Sequence, residues 1–299
     1  WEGRRASREV RAFCILAATS SALYRRRHGY HGPVAAVEGF VEVRAGRAIG
    51  WIASELAELG LDPFWGPIEP LPLAKGRGGV GRLVVAGREL VVRPYRRGGA
   101  LGSLLKDRYT GPSRAKNELE VLARLRAEGV PVVVPVAAVA QKHHAFWRLR
   151  LCTELLAEAL PLPAFLAAHP ELRRYTAEAV GIVVHLAFAA GLRHADLHLD
   201  NVLCAVRGDR VRAVLVDLDR ATLKKPLLAA DTEVMLARML RYTARHRSKL
   251  AAVPSRSESM RFLRALGLER EARHAAWQRI VARVVRAVGR GKWPGHSKR

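Results

Sequence analysis

The feature that most constrains this chain is a polar loop, Leu192–Asn201, set between an apolar helical stretch and a pair of short β-branched runs. Residues 171–191 are strongly apolar with helical periodicity and stop at Gly191, a residue suited to the left-handed turn that closes helices. Val202–Val206 and Val211–Val216 then flank Arg207-Gly208-Asp209-Arg210, which predicts a tight β-hairpin. A hairpin following a helix directly is incompatible with a parallel βαβ array, and helical patterns from about residue 230 to the end exclude a barrel.

Upstream the order reverses. Gly76, Gly78 and Gly81 precede two short apolar runs around Gly87, Leu83–Ala86 and Leu90–Arg93, a second predicted hairpin. Leu119, Leu122 and Leu125 recur at helical spacing between Ser113, a possible N-cap, and Gly129, a stop. Residues 131–140 and 146–154 read as further strands. Pro63, Pro67, Pro70 and Pro72 crowd residues 62–73, which reads as a linker. The chain is therefore expected to be α+β in two lobes: residues 1–70 an extension of uncertain status, 71–155 a β-rich lobe with one helix, and 156–299 a mainly helical lobe with an embedded hairpin.

Composition limits the function. Cys14, Cys152 and Cys204 are too few and too scattered for a disulfide framework or a Cys-x-x-Cys metal site. No apolar run reaches the ~18 residues that span a bilayer. The start of the chain, four arginines and then an apolar run, imitates a secretory signal, but Glu2, Glu9 and Arg25–Arg27 argue against one. The 51 Lys and Arg against 27 Asp and Glu give +24, and residues 241–299 alone hold sixteen basic and three acidic side chains. Such asymmetry points to an anionic partner: nucleic acid, membrane or phosphorylated substrate. An aromatic content of 6% and no aromatic-rich binding motif leave a nucleic-acid-binding protein as the weaker reading.

Three segments carry possible chemistry. The glycines at 76, 78 and 81 can bring backbone N–H groups close to phosphate oxygens, although taken alone they read better as an ordinary turn. In the polar loop, Asp196 is placed to accept the proton of an attacking hydroxyl, while Asn201 offers a neutral oxygen to Mg²⁺. His194 reads as a hydrogen-bonded support of that loop, and His198 and Asp200 as solvated. Asp217 ends an apolar strand, where a carboxylate needs a metal or a partner such as Arg220. Mg²⁺ suits one or two protein oxygens supplemented by substrate phosphates.

The linear order is that of the protein-kinase plan: Gly-rich hairpin, a basic residue (Arg93) on the next strand, a glutamate (Glu118) on the next helix, an Asp…Asn loop, and a strand-ending Asp. The chain departs from that plan in having Arg93 for lysine, Asp219 for glycine, and no Ala-Pro-Glu signature. With those departures, Arg93-Pro94-Tyr95-Arg96-Arg97-Gly98-Gly99, Asp107-Arg108-Tyr109, Arg114…Glu118, Glu128-Gly129-Val130-Pro131, His194-Ala195-Asp196-Leu197, Asp217-Leu218-Asp219-Arg220 and Leu236–Arg241 together resemble the 3-deoxy-D-manno-octulosonic acid (Kdo) kinases of lipopolysaccharide assembly.

The resemblance implies a bilobal protein-kinase-like fold and ATP-dependent phosphorylation of a Kdo hydroxyl, the 4-hydroxyl, on a lipid A precursor at the cytoplasmic face of the bacterial inner membrane. A related kinase acting on heptose, a small molecule or a protein is the alternative. Asp196 is then the catalytic base, Asn201 and Asp217 the Mg²⁺ ligands, and Gly76, Gly78, Gly81, Arg93, Glu118 and Glu154 the ATP-binding set. Thr153–Leu155 would be the hinge that meets adenine. Arg96, Arg97 and Arg238 are candidate anion contacts. Trp277, Ile280, Val281, Val284 and Val288 share one face of a C-terminal helix, opposite Arg279, Arg283, Arg286 and Arg290, so this helix is expected either to lie on an anionic membrane, which a lipid-bound substrate favours, or to dock on the helical lobe with its charged face solvated.

Overall fold

A computed structural model describes residues 37–71, 79–96 and 107–289. The N-terminal stretch with the signal-like pattern, Gly76, Gly78, Arg97 and Arg290 lie outside the described residues.

The chain divides into two compact units, residues 1–119 with 135–154, and residues 120–134 with 155–299. In the first unit, β1 (Phe40–Ala45), β2 (Ala48–Ala53), β3 (Glu69–Pro70), β4 (Gly81–Val85) and β5 (Arg88–Pro94) precede helix α1 (Ser113–Ala127). β6 (Pro135–His143) and β7 (Phe146–Glu154) follow it. The seven strands form one antiparallel sheet in the order β1-β2-β6-β7-β5-β4-β3. The β4–β5 hairpin forms as its sequence predicts, with Ala86 and Gly87 both at positive φ in the two-residue turn.

Residues 40–70 are part of this sheet, contrary to their reading as an extension ending in a linker. Leu56, Leu61 and Phe64 join Ile52, Leu90, Val92, Val136 and Cys152 in one core. The proline-rich run packs because Arg150 of β7 reaches into it. Its guanidinium donates to the carbonyls of Phe64 (3.1 Å) and Gly66 (2.9 Å) and lies 4.9 Å from the centroid of the Trp65 ring. Proline lacks a donor and favours edges, so β3 ends the sheet. Gly81 serves this edge: a Cβ there would come within 2.6 Å of the Glu69 carbonyl oxygen.

Helix α1 begins at Ser113 itself, one residue earlier than a cap at Ser113 would give, with the Pro112 carbonyl accepting from Ala115 N–H at 3.2 Å. It ends in a Schellman turn: Gly129 adopts φ +76°, Gly129 N–H donates to Arg126 O, and Val130 N–H donates to Leu125 O at 2.9 Å. Residues 131–134, read from the sequence as strand, do not continue into the sheet. Leu215 N–H instead donates to Pro131 O and Val133 N–H to Leu215 O, which holds this segment in the second unit.

The second unit contains β8 (Leu160–Pro161), α2 (Leu162–Ala168), α3 (Arg173–Ala189), β9 (Leu192–Arg193), β10 (Val202–Arg207), β11 (Arg210–Leu215), β12 (Thr222–Leu223), α4 (Ala229–His246), α5 (Arg256–Ala265) and α6 (Arg270–Gly289). β10 pairs with β11 and β8, and β9 with β12. Gly181 lets α3 approach α5, since a Cβ there would fall 2.7 Å from Phe262 O. Helix α5 starts with a capping box in which Ser255 and Glu258 satisfy each other's backbone N–H groups.

Helix α6 docks part of its apolar face on its own unit: Ile280 is buried, and Ile280 and Trp277 line a partly open cavity with Leu166, Val180, Leu240 and Phe262. Arg279 and Arg283 pair with Glu233 of α4 at 2.5 and 3.4 Å. The amphipathic pattern is that of a docked terminal helix whose flanking cations are partly neutralised by its neighbour.

Candidate active site

The first unit positions an ion pair. Arg93, near the end of β5, directs Nη2 to both carboxylate oxygens of Glu118 on α1, at 2.6 and 2.5 Å. The Glu118 side chain is fully buried and Arg93 keeps 22% of its side-chain exposure. Tyr95 O–H donates to the same carboxylate at 2.5 Å, and its ring lies 4.6 Å from the Arg93 guanidinium carbon. Arg114 lies over Tyr95 and Tyr109, and those two rings meet edge to face at 6.3 Å. The Arg-Pro-Tyr, Asp-Arg-Tyr and Arg…Glu segments thus converge on one buried carboxylate. Tyr95 is the member that sequence reasoning left without a role.

Glu154 behaves differently. Its carboxylate, at the end of β7, accepts from Arg88, which also reaches Glu55 at 3.0 Å. Those hydrogen bonds raise the Arg88 pKa further. The Glu154 side chain is therefore part of a strand-edge ion cluster, and its backbone pairs with Leu90.

In the second unit the polar loop is built around His194, which is buried. Asp196 N–H donates to His194 Nδ1 at 2.9 Å, so Nδ1 must carry a lone pair; Nε2 then donates to Asp217 O at 2.8 Å. One neutral imidazole thereby joins the backbones of the two candidate acidic residues, 21 positions apart. Asn201 is also buried. Its Nδ2 donates to Asp196 O at 3.0 Å, and its carbonyl accepts from Val216 N–H at 2.9 Å. Asp196, Asn201 and Asp217 are therefore held in one hydrogen-bonded unit.

The Asp196 side chain is 88% exposed, so an acceptor can reach it. Asp217 is exposed as well and lies two residues past β11, correcting its reading as a carboxylate at a buried strand end. Its φ of +54° is a conformation that costs a non-glycine residue energy and is typical of functional turns.

Two residues read as solvated are not. Asp200 accepts a hydrogen bond from Tyr242 O–H, and the His198 ring stacks on the Tyr242 ring at 4.2 Å and 10°. Burial pushes the His198 pKa down against the opposing pull of Asp196, Asp200 and Asp217. Burial and then the bond to Asp200 raise the Tyr242 phenol. Arg238, a candidate anion contact, directs its guanidinium at the Ala195 carbonyl. Among the described residues no cluster of three His, Cys, Asp or Glu forms a metal site. Asn201 and Asp217 each carry a side-chain oxygen of the kind that could hold Mg²⁺ beside substrate phosphates.

The Lipopolysaccharide kinase (Kdo/WaaP) family model matches residues 69–283, more than two thirds of the chain. A 3-deoxy-D-manno-octulosonic acid kinase of Xylella fastidiosa (strain M23) is 31% identical over 184 residues, covering 60% of this chain and 72% of that protein. The corresponding kinase of Vibrio vulnificus (strain YJ016) is 30% identical over 158 residues, 51% of this chain, and the chain spans just under two thirds (66%) of that relative's length. A solved structure of WaaP in complex with acyl carrier protein matches in fold, with a TM-score of 0.51 and 22% identity over 74% of this chain and 88% of that one. Sheet unit, helical unit and motif order are those of a protein-kinase-like α+β fold, and the chain belongs to the lipopolysaccharide kinase (Kdo/WaaP) family.

Proposed function

We propose that this protein transfers the γ-phosphoryl group of ATP to a hydroxyl, the 4-hydroxyl, of Kdo on a lipid A precursor. The observation that carries the reading is the His194 bridge, which fixes the backbones of Asp196 and Asp217 to one imidazole while Asn201 fixes the carbonyl of Asp196.

In this reading the acceptor hydroxyl gives its proton to the exposed Asp196 carboxylate as its oxygen bonds to the γ-phosphorus, and the bond to the β,γ-bridging oxygen breaks. Asp217 and the Asn201 amide oxygen would hold Mg²⁺; the Nδ2 bond to Asp196 O leaves Oδ1 as the end of that amide available to a cation. The ion would neutralise charge on the phosphates. Arg93, steadied by Glu118 and Tyr95, would bind ATP phosphates. The basic character of residues 241–299 suits an anionic, lipid-linked acceptor at the cytoplasmic face of the inner membrane. No described helix is long and apolar enough to cross a membrane.

Incubating the purified protein with labelled ATP and Mg²⁺ against Kdo-bearing lipid A precursor, heptosylated core and a generic protein tests the reading. Label in the first alone is the expected result. Label only in the heptosylated core would move the acceptor to heptose, and label only in protein would refute a sugar acceptor.

A further inference from the structure

The polar loop is held along its length by one stripe of helix α4. Asp231, Met235, Arg238 and Tyr242 follow one another at spacings of four, three and four, which places them on a single helical face. Each meets the loop in sequence order. Asp231 accepts from the Arg193 guanidinium, and Met235 Sδ accepts from His194 N–H at 3.3 Å. Arg238 donates to Ala195 O, and Tyr242 donates to Asp200 while stacking on His198.

The consequence is sharpest at one peptide unit. The Ala195–Asp196 peptide has its oxygen bonded by Arg238 and its N–H bonded by His194 Nδ1. With the next peptide held through the Asn201 Nδ2 bond to Asp196 O at 3.0 Å, both planes flanking Asp196 are fixed, and together they set the direction of its Cα–Cβ bond, because a peptide group is rigid and only the dihedrals between planes turn. The Asp196 side chain is 88% exposed, so little packing is left to aim it. His198 Nε2 lies 4.0 Å from Oδ2, beyond hydrogen-bond distance, so the main chain carries most of that aim.

We infer that α4 is a positioning rail for the catalytic loop, in which Arg238 aims the Asp196 carboxylate by holding the Ala195 carbonyl and Tyr242 fixes the far half of the loop through Asp200 and His198. Arg238 is then a positioning residue that acts through Asp196, with its Nη1 committed to the protein's own backbone. The inference rests on the assignment of Asp196 as the base.

The test is a double-mutant cycle with Arg238→Met and Asp196→Asn, reading kcat and KM for ATP and for the acceptor separately. Misplacing a catalytic group by about an ångström costs up to ~100-fold, so Arg238→Met is expected to lower kcat roughly 10–100-fold while both KM values stay within about twofold. On the Asp196→Asn background Arg238→Met should cost almost nothing more, since the group it aims is gone.

Hydrogen exchange supplies a readout independent of activity: the Asp196 amide should exchange faster in Arg238→Met, with the β10–β11 amides unchanged. Tyr242→Phe keeps the ring stack and removes only the bond to Asp200, so it covers the case in which Arg238→Met fails to fold. It should lower kcat with both KM values again held.

A loss confined to the acceptor KM would make Arg238 a substrate contact and overturn the inference. So would a full additional loss on the Asp196→Asn background, or wild-type kcat in a folded Arg238→Met; if Arg238→Met does not fold, wild-type kcat in Tyr242→Phe overturns it instead. If Asp196→Asn itself turns over near the wild-type rate, the base assignment falls and the inference with it. If Asp196→Asn is dead while Arg238→Met is inert, the inference falls alone.

Discussion

Removing Arg93 should be among the more damaging single substitutions in the first unit. Arg93→Met strips the Glu118 carboxylate of a cation that bonds both of its oxygens, while Tyr95 O–H still donates to this fully buried side chain. Breaking a buried pair from one side costs about 3–5 kcal/mol, because the remaining charge keeps its desolvation penalty. Arg93 retains 22% exposure, so water screens the pair somewhat, and about 2–4 kcal/mol is the appropriate range. At roughly 2–4 °C per kcal/mol for a chain of this size, Tm should fall by about 5–15 °C.

Glu118→Leu should lose less, since it leaves an arginine that can turn to solvent. The double variant Arg93→Met/Glu118→Leu should recover much of the stability lost by Arg93→Met alone, because both charges are then gone. Arg93→Lys should keep most of it. A single nitrogen makes both bonds to Glu118, so a lysine ammonium can replace it, although the stack on Tyr95 is lost. Urea unfolding of the four variants measures this. An Arg93→Met variant within about 0.5 kcal/mol of wild type, the range of surface substitutions, would refute the reasoning, as would full additivity in the cycle.

Other outcomes follow from the second unit. Asp217→Ala should weaken Mg²⁺-dependent ATP binding more than ~10-fold by calorimetry, since even outer-shell changes at metal sites cost that much; affinity without Mg²⁺ should barely change. Arg173 bonds both oxygens of Glu258 at 2.7 and 2.9 Å. Burial raises the Glu258 pKa, but the bonds from Arg173 and Ser255 outweigh it and the net shift is downward from 4.5. A carboxylate lowered in the native state stabilises above its unfolded pKa and loses that contribution as pH falls through the native value. Urea midpoints should therefore drop on acidification below about pH 4.5, and Arg173→Met should flatten that limb. Cys152 and Cys204 are buried, with thiols pushed up to about 12, so in a Cys14→Ala background a thiol reagent should label neither until the protein unfolds.

Local signals in the sequence were read correctly where one short segment settles the matter. The Ala86-Gly87 and Gly208-Asp209 turns need positive φ, and Gly129 ends α1 because it tolerates the left-handed conformation of a Schellman turn. The order of Arg93, Glu118, Asp196, Asn201 and Asp217 was legible for the same reason: it is a property of the chain itself. Partners distant in sequence were not. Prolines between residues 62 and 73 look like a linker until Arg150, some 85 positions away, caps the carbonyls of Phe64 and Gly66. Residues 131–134 have strand composition, but which strand they meet is fixed only by Leu215. An amphipathic helix such as α6 advertises an apolar face without naming what covers it, and burial against its own unit decided that. His198 and Asp200 read as solvated because the side chain that covers them, Tyr242, is more than forty residues downstream. Periodicity and turn chemistry are encoded within a few residues, whereas the partner of a polar group or an apolar face is chosen by chain segments that only the tertiary fold brings together.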